Sequence, residues 1–216
     1  MIACRRCPRL VQWREQVARE KRAAYRDWDY WGRPLPGFGD PDAHIAVLGL
    51  APAAHGANRT GRLFTGDRSG DFLFAGLWRA GLANRPSSDR IDDGLALSSC
   101  FITAAVRCAP PGNRPRPDER NRCATWLERE LALLTEVRVV LCLGQLAWDA
   151  GLRARRALGG ELPRPRPRFG HGAELPGEPW PLLGCFHPSQ QNTFTGRLTT
   201  TMLDDVLRRA LAIASG

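Results

Sequence analysis

Four features are scarce or missing in this sequence of 216 residues. Lys21 is the only lysine among 31 basic residues, so arginine carries almost all of the positive charge. Neither GxxxxGK[ST] nor GxGxxG occurs, which disfavours nucleoside triphosphates and dinucleotides as ligands. The longest apolar run, 139–148, already contains Gly144 and Gln145 and is too short to span a bilayer. The N-terminal charges have no apolar signal core behind them, so we expect a cytoplasmic protein.

The sequence does have an excess of basic over acidic residues and an ordinary fraction of apolar residues. There are 31 basic and 22 acidic residues, giving a net charge of +9. A compact basic protein usually binds an anion, and nucleic acid is the commonest such partner. With 43% apolar residues, the length fits one α/β domain, or two small ones at most.

Four apolar runs separated by helical patterns predict a parallel sheet with helices on both faces. We place these strands at 45–50, 101–106, 137–143 and 182–186. We place helices at about 10–26, 117–134, 145–152 and 198–214. A further helix begins at a cap formed by Ser69 or Asp71 and ends at about residue 82. Ligands of such sheets bind outside the carboxyl ends of the strands. Small, polar, glycine and proline residues follow all four strands, so we expect a concave site there.

The seven cysteines fall into two groups, and their odd number argues against a disulfide framework. Three of them, Cys100, Cys142 and Cys185, lie in or at the end of strand-like runs and are expected to be small buried hydrophobes. The remaining four are Cys4, Cys7, Cys108 and Cys123. A C-x2-C pair and two cysteines flanking a distant loop predict a metal site rather than unrelated surface thiols. Spacing alone leaves zinc and iron–sulfur open, with a slight preference for zinc.

Several candidate site residues have structural alternatives. Phe64 is more often a core residue than a platform for a base, and Asp67 is more often a cap than a catalyst. His187 precedes Pro188, which favours an extended backbone, and is as readily a functional donor as a structural one. The arginine- and proline-rich segment 153–168 is either a solvated loop or an extended chain that follows a phosphate backbone.

Six short motifs, taken together in their order and spacing, resemble the family 5 (type B) uracil-DNA glycosylases, an iron–sulfur branch of the uracil-DNA glycosylase superfamily. They are Gly-Leu-Ala-Pro at 49–52, Asn-Arg-Thr-Gly-Arg at 58–62, Phe-Thr-Gly-Asp at 64–67, Ala-Val-Arg-Cys-Ala-Pro-Pro at 105–111 with Asn113, His-Pro-Ser at 187–189 with Asn192, and Thr-Gly-Arg-Leu-Thr at 195–199. Family 4 relatives carry a glutamate in the first motif, whereas Leu50 and Ala51 provide no polar side chain. Ala53 stands where family 5 members often have glycine.

The resemblance implies an α/β fold, a three-layer α/β/α sandwich round a central four-stranded, mostly parallel sheet. It implies one glycosylase domain over 1–216, acting as a monomer. It also implies that Cys4, Cys7, Cys108 and Cys123 hold a 4Fe-4S cluster, which replaces the preference for zinc. That cluster would pin the N-terminal segment to the 108–123 loop.

The implied activity is hydrolysis of the N-glycosidic bond of uracil, and of other deaminated or damaged bases, in double- or single-stranded DNA. Negative charge gathers on O2 of the departing base, and His187 is the natural donor to it. Phe64 would cover the flipped base, Asn113 would read its edge and Asp67 would orient the water. The roles of Asp67 and Asn113 are open to exchange. The other base-binding candidates are Gly49, Ala51 and Pro52, and the DNA-binding candidates are Arg59, Arg62, Ser189, Asn192 and Arg197.

Two alternatives stay open from the sequence. One is a metal-stapled nucleic-acid-binding module without catalysis. The other is a glycosylase whose main substrates are deaminated purines or etheno adducts.

Overall fold

The structure, a computed structural model, describes residues 1–216 and contains one six-stranded sheet. Its strands are β1 (Phe38–Gly39), β2 (Ile45–Gly49), β3 (Cys100–Ala104), β4 (Val139–Leu143), β5 (Glu174–Leu175) and β6 (Leu182–Cys185). Their spatial order is β1-β3-β2-β4-β6-β5. The four inner strands are parallel, and the two edge strands are antiparallel to their neighbours.

The mostly parallel α/β sheet is confirmed, but the predicted count of four strands is wrong. All four predicted strands are present as the inner strands. The two additional strands have two residues each, which is too short for any periodicity to be visible in the sequence. They extend the sheet at its edges without changing the inner strands, whose ends position the candidate site.

Seven α-helices and two short 3-10 helices connect the strands. The α-helices are α1 (Pro8–Glu20), α2 (Ala57–Thr60), α3 (Arg68–Arg79), α4 (Pro117–Leu133), α5 (Gln145–Ala157), α6 (Gln190–Phe194) and α7 (Thr200–Ser215). The first helix ends earlier than predicted because Lys21 adopts a positive φ of 54° and Arg22 is extended. Helix α5, by contrast, is longer than predicted. It continues beyond residue 152 into the arginine- and proline-rich segment 153–168. No helix is both long enough and apolar enough to cross a membrane.

Helix starts follow ordinary capping chemistry. The Asp67 side chain accepts hydrogen bonds from the backbone N–H groups of Ser69 and Gly70, so Asp67 caps α3 in place of the predicted Ser69 or Asp71. Thr199 caps α7 in the same way. Pro117 opens α4, where the Glu119 carboxylate accepts from the backbone N–H of the N-cap residue Arg116 at 2.7 Å.

Side chains of the inner strands alternate between two cores, one on each face of the sheet. Ile45 and Val47 of β2 pack with α3 and α7, whereas Ala46 and Leu48 pack with α4 and α5. Because both faces are covered, every residue of β2 is buried. The predicted three layers are therefore confirmed.

A third and smaller core lies beyond the carboxyl edge of the sheet. Leu10 of α1 packs there with Val106, Cys108 and Cys123. This cluster brings the N-terminal segment against the loop that follows β3, so that three distant parts of the chain meet beside the candidate site.

Candidate functional site

The carboxyl ends of three parallel strands meet at one edge of the sheet. In register, Leu48 of β2 lies beside Cys142 of β4, and Leu143 lies beside Cys185 of β6. Beyond these ends the backbone stays tied together, because Gly49 O accepts from Ala105 N at 3.0 Å. The residues that follow the strands are therefore held in one place by the sheet itself.

Gly49, Phe64 and His187 form the centre of this edge. The Phe64 and His187 ring centroids lie 6.0 Å apart, with an angle of 32° between the ring planes. A Cβ at Gly49 would lie 2.8 Å from the Phe64 ring, and one at Gly144 would lie 3.3 Å from the His187 Cβ. The glycines thus let two flat rings approach the strand ends closely, and the surface they make suits a planar ligand.

His187 leaves β6 on a backbone that its neighbours hold in place. Its carbonyl oxygen accepts from the Asn192 amide at 2.8 Å, and the Ser189 hydroxyl accepts from Asn192 N at 3.4 Å. The ring nitrogens have no hydrogen-bond partner within the protein. Burial lowers the pKa of His187 to about 4, so the ring is neutral at neutral pH and carries one free N–H donor.

Asp67 lies next to this centre at the start of α3. Its Oδ1 accepts from the backbone of Ser69 at 3.0 Å and of Gly70 at 3.1 Å. A Cβ at Gly70 would collide with the Phe64 carbonyl, and one at Gly56 would collide with Asp67 Oδ2. Burial raises the pKa of Asp67, opposed by these backbone hydrogen bonds and by the Arg59 charge. The cap therefore fixes one carboxylate oxygen and leaves Oδ2 without a hydrogen bond.

Other predicted base contacts are placed less centrally. Ala51 packs against the cluster of Leu10 and the two buried cysteines, and Pro52 is buried. Asn113 has a positive φ of 56° in an exposed 3-10 turn, and its side chain makes no hydrogen bond. No hydrogen bond or ring contact links Asn113 to Phe64 or His187.

The predicted DNA contacts divide into buried and exposed side chains. Arg59 and Arg62 are only 4% and 6% exposed, and Arg62 is bonded to Asp93 at 2.6 Å. A guanidinium enclosed in this way does not face a phosphate, so this conformation gives no support to DNA contacts by either residue. Arg197 is exposed, with its guanidinium 4.8 Å from the Phe186 ring centroid.

Phe194 is an exposed aromatic residue that was not predicted from the sequence as part of the site. Phe194, in α6, is 70% exposed, and the Arg68 guanidinium lies 5.7 Å from its ring centroid. The only sequence signal was a phenylalanine between two threonines in an otherwise polar segment.

One large cavity, of about 870 Å³, lies away from the predicted site. It is a groove between α4 and α5, closed on one side by Arg164 and Arg166. Arg166 is paired with Asp149 at 2.7 Å, and Arg155 is buried on backbone carbonyl groups. The arginine- and proline-rich segment therefore includes one structural arginine and several exposed ones.

The four cysteines proposed as ligands line one small cavity. Cys108 Sγ accepts from Arg14 Nη1 at 2.8 Å, and Cys123 Sγ accepts from the backbone N of Arg107 at 3.3 Å. Burial raises the pKa of Cys108, and raises that of Cys123 to about 11. No group of three or more histidine, cysteine or acidic side chains is arranged to hold a metal ion. A metal or cluster at this cavity remains a prediction from the sequence.

The other three cysteines are fully buried in the sheet cores, as predicted.

Comparison with known proteins decides the family. Residues 36–211 match the uracil DNA glycosylase superfamily. The chain belongs to this superfamily. Over 214 residues it is 58% identical to the type-5 uracil-DNA glycosylase of Mycobacterium tuberculosis, covering 98% of this chain and 78% of that protein. It is 53% identical to that of Thermus thermophilus, covering 99% and 95%, and 46% identical to that of Pyrobaculum aerophilum, covering 99% and 90%.

Membership of the superfamily agrees with the motifs that first indicated it. The strand-end loops that carry Gly49, Phe64 and His187 are the segments where the resemblance was concentrated. Three parts of a uracil-DNA glycosylase-like sequence, distant along the chain, thus converge on one edge of the sheet.

The half-buried His187 ring gives a prediction for pH dependence. We expect the ring to stay neutral as pH falls to about 4, since burial disfavours the imidazolium. The unfolded chain binds this proton near pH 6.5, so His187 lowers folding stability as pH falls from 6.5 towards 4. A ¹⁵N NMR titration of the histidine rings measures the first effect. Denaturation of His187→Gln across the same pH range should show a smaller loss of stability. A His187 ring that titrates near pH 6.5 contradicts the assignment.

Proposed function

We propose that the chain is a monofunctional DNA repair glycosylase that hydrolyses the N-glycosidic bond of uracil in DNA and leaves an abasic site. The observation that carries this proposal is that Phe64 packs on Gly49 and next to His187 at the strand ends of a uracil-DNA glycosylase superfamily member. The proposed unit is a single domain over 1–216.

The target base must leave the duplex stack before it reaches this edge. A flipped uracil stacks on Phe64, whose own ring lies against the strand end because Gly49 has no side chain. Bond cleavage then leaves negative charge on the base, chiefly at O2. A neutral His187 suits this step, because its N–H donates to a developing anion and has no competing partner in the protein. The backbone N–H of Ala51 is a second candidate donor.

Water must then meet C1′ of the sugar. Asp67 closes the motif that begins with Phe64, and we propose that its Oδ2, which has no hydrogen bond, orients that water. Asn113 is exposed, so we propose that it reads the amide-like edge of uracil only after its turn moves towards bound DNA. Exchange of these two roles remains the alternative.

The first motif is relevant to substrate range. Leu50 and Ala51 provide no polar side chain that could select one base, and apolar contacts discriminate weakly between ligands of similar shape. We therefore propose that other deaminated or damaged bases are also accepted. The partner is double-stranded DNA, and single-stranded DNA as well, bound by the monomer.

Residues near the pocket provide the proposed contacts to DNA. Arg197 is available to a phosphate, while Ser189 and Asn192 shape the loop that carries His187. Phe194 offers an apolar ring to the space that the flipped base leaves.

For the metal centre we propose a 4Fe-4S cluster held by Cys4, Cys7, Cys108 and Cys123. The residues fit, since four thiols line one cavity and two of the sulfurs already accept N–H donors. When bound, the cluster would act as a structural crosslink, because four thiolates leave no open position for substrate. It would pin the N-terminal segment to the 108–123 loop, while Arg14, which is only 2% exposed, would offset its negative charge.

The catalytic assignment predicts a loss of chemistry without a loss of binding. Asp67→Asn and His187→Ala should each slow single-turnover uracil excision about a hundredfold or more, since each removes a preformed group at the reacting centre. Affinity for abasic-site DNA should hardly change. Asp71→Asn, on the same helix, and His44→Ala, at the opposite edge of the sheet, are the matched controls.

The same assay on duplexes with hypoxanthine, xanthine and ethenocytosine ranks the substrates. Wild-type rates in both site variants would show that the site is misassigned. DNA binding by the wild-type chain without release of any base would favour the non-catalytic module.

The cluster proposal predicts a brown protein with iron and sulfide in nearly equal amounts. Cys108→Ala should lose iron and solubility before the remaining folded protein loses specific activity, because the cluster is structural. Cys100→Ala, which alters a buried core cysteine, is the control and should keep its iron. Metal analysis, sulfide analysis and absorbance measure these effects. A colourless, zinc-loaded and fully active protein would contradict the proposal.

A further inference from the structure

Arg59 is a buried arginine whose position none of the steps above uses. It lies in α2 and is 4% exposed. Its guanidinium carbon lies 4.0 Å from the Tyr25 ring centroid and 4.1 Å from that of Trp28. A guanidinium is attracted to the face of an aromatic ring, most strongly away from water. These contacts hold its charged end in one place.

The guanidinium donates to two loops that meet at the candidate site. Nε donates to the His55 carbonyl at 2.8 Å, and Nη2 donates to the Gly66 carbonyl at 3.1 Å. His55 belongs to the loop after β2, and Gly66 to the turn before α3. The remaining nitrogen, Nη1, is buried without a partner. The His55 and Gly66 carbonyl groups are therefore the only hydrogen-bond acceptors of this guanidinium.

Gly66 precedes Asp67 directly, so the bond to its carbonyl fixes the peptide that carries the candidate carboxylate. A Cβ at Gly66 would collide with Arg59 Nη2, which shows how closely the two groups pack. On the other side, Gly56 lies against Asp67 Oδ2 and follows His55 in the chain. Arg59 therefore hydrogen-bonds to both chain segments that flank the Asp67 carboxylate, at His55 and at Gly66.

We propose that Arg59 is a positioning residue that holds the Asp67 carboxylate beside the base pocket through the His55 and Gly66 carbonyl groups. This inference rests on the proposed role of Asp67 in uracil excision. It accounts for an arginine in the 58–62 motif without any contact to DNA, and it replaces the phosphate contact expected for Arg59 from the sequence.

The charge of Arg59 acts in the same direction as its hydrogen bonds. Burial raises the pKa of Asp67, while the backbone hydrogen bonds and the Arg59 guanidinium lower it. Asp71 on α3 is the neighbouring acid, and its own pKa is raised by burial and by Asp67. Loss of the Arg59 charge therefore favours protonated Asp67, so the fall of the rate at low pH should begin at a higher pH.

Single-turnover kinetics of Arg59 variants on uracil-containing duplex test the proposal. Arg59→Ala should slow excision about a hundredfold, as a misplaced catalytic group does. The acid limb of its pH–rate profile, where the rate falls at low pH, should move to higher pH. Its affinity for abasic-site DNA should stay within about twofold of the wild-type value. Arg59→Lys keeps the charge but loses the fork of donors, so its rate should fall while its acid limb stays in place. Added methylguanidinium should restore part of the Arg59→Ala rate.

Arg155→Ala is the matched control, since Arg155 is also buried and also donates to backbone carbonyl groups, but on α5. It should lower thermal stability without moving the acid limb of the folded protein. If Arg59→Ala behaves in the same way, Arg59 is a structural residue and the inference is overturned. Should Arg59→Ala fail to fold, the rate and acid limb of Arg59→Lys decide: a wild-type rate overturns the inference.

A double variant separates this inference from the proposed function. If the two residues act as one unit, Asp67→Asn with Arg59→Ala should be no slower than Asp67→Asn alone. Asp67→Asn at the wild-type rate would overturn the role of Asp67 and with it this inference. A slow Asp67→Asn beside a normal Arg59→Ala would overturn the role of Arg59 alone.

Discussion

The close contact between Phe64 and the end of β2 is the constraint on which the rest of the site depends. Gly49 has no side chain, so the Phe64 ring lies directly over the strand end and faces His187. Any larger residue at 49 would push the ring away. The backbone of Phe64 is equally confined, because its positive φ of 53° places its carbonyl against Gly70 in the first turn of α3. Sheet, ring and helix are thereby fixed together.

This arrangement gives Asp67 two tasks. As a cap it satisfies backbone N–H groups of α3 through Oδ1, and in its proposed role it would orient the attacking water through Oδ2. The two tasks use different oxygens, so stability and chemistry do not compete for the same atom. The conflict lies instead in burial, which favours the neutral acid. The Arg59 charge and the backbone donors oppose that tendency.

The inner architecture was predictable because its signals are local. Continuous apolar runs marked the four inner strands, and the rule for strand ends indicated the carboxyl edge of the sheet, with His187 as a candidate, before any resemblance was used. The two-residue edge strands were not predictable, since their pairing depends on neighbours distant in sequence. The early end of α1 depends on the backbone of Lys21, which no side-chain pattern revealed.

Predictions about individual charged residues were the least reliable part. A motif rich in arginine near a pocket suggests phosphate contacts, yet Arg59 packs on Tyr25 and Trp28, and Arg62 is bonded to Asp93. Both partnerships join residues separated in sequence, so only the fold reveals them. In contrast, the four cysteines that the sequence grouped together do line one cavity, while their use as metal ligands stays a prediction.

The central claim is that a flipped uracil occupies the space bounded by Gly49, Phe64 and His187. A crystal structure of Asp67→Asn bound to a duplex containing deoxyuridine tests it most directly. The account predicts a uracil ring stacked on Phe64, with its O2 within hydrogen-bond distance of a His187 ring nitrogen. A uracil that is bound elsewhere, for example in the groove between α4 and α5, with Phe64 and His187 still in mutual contact, would contradict it.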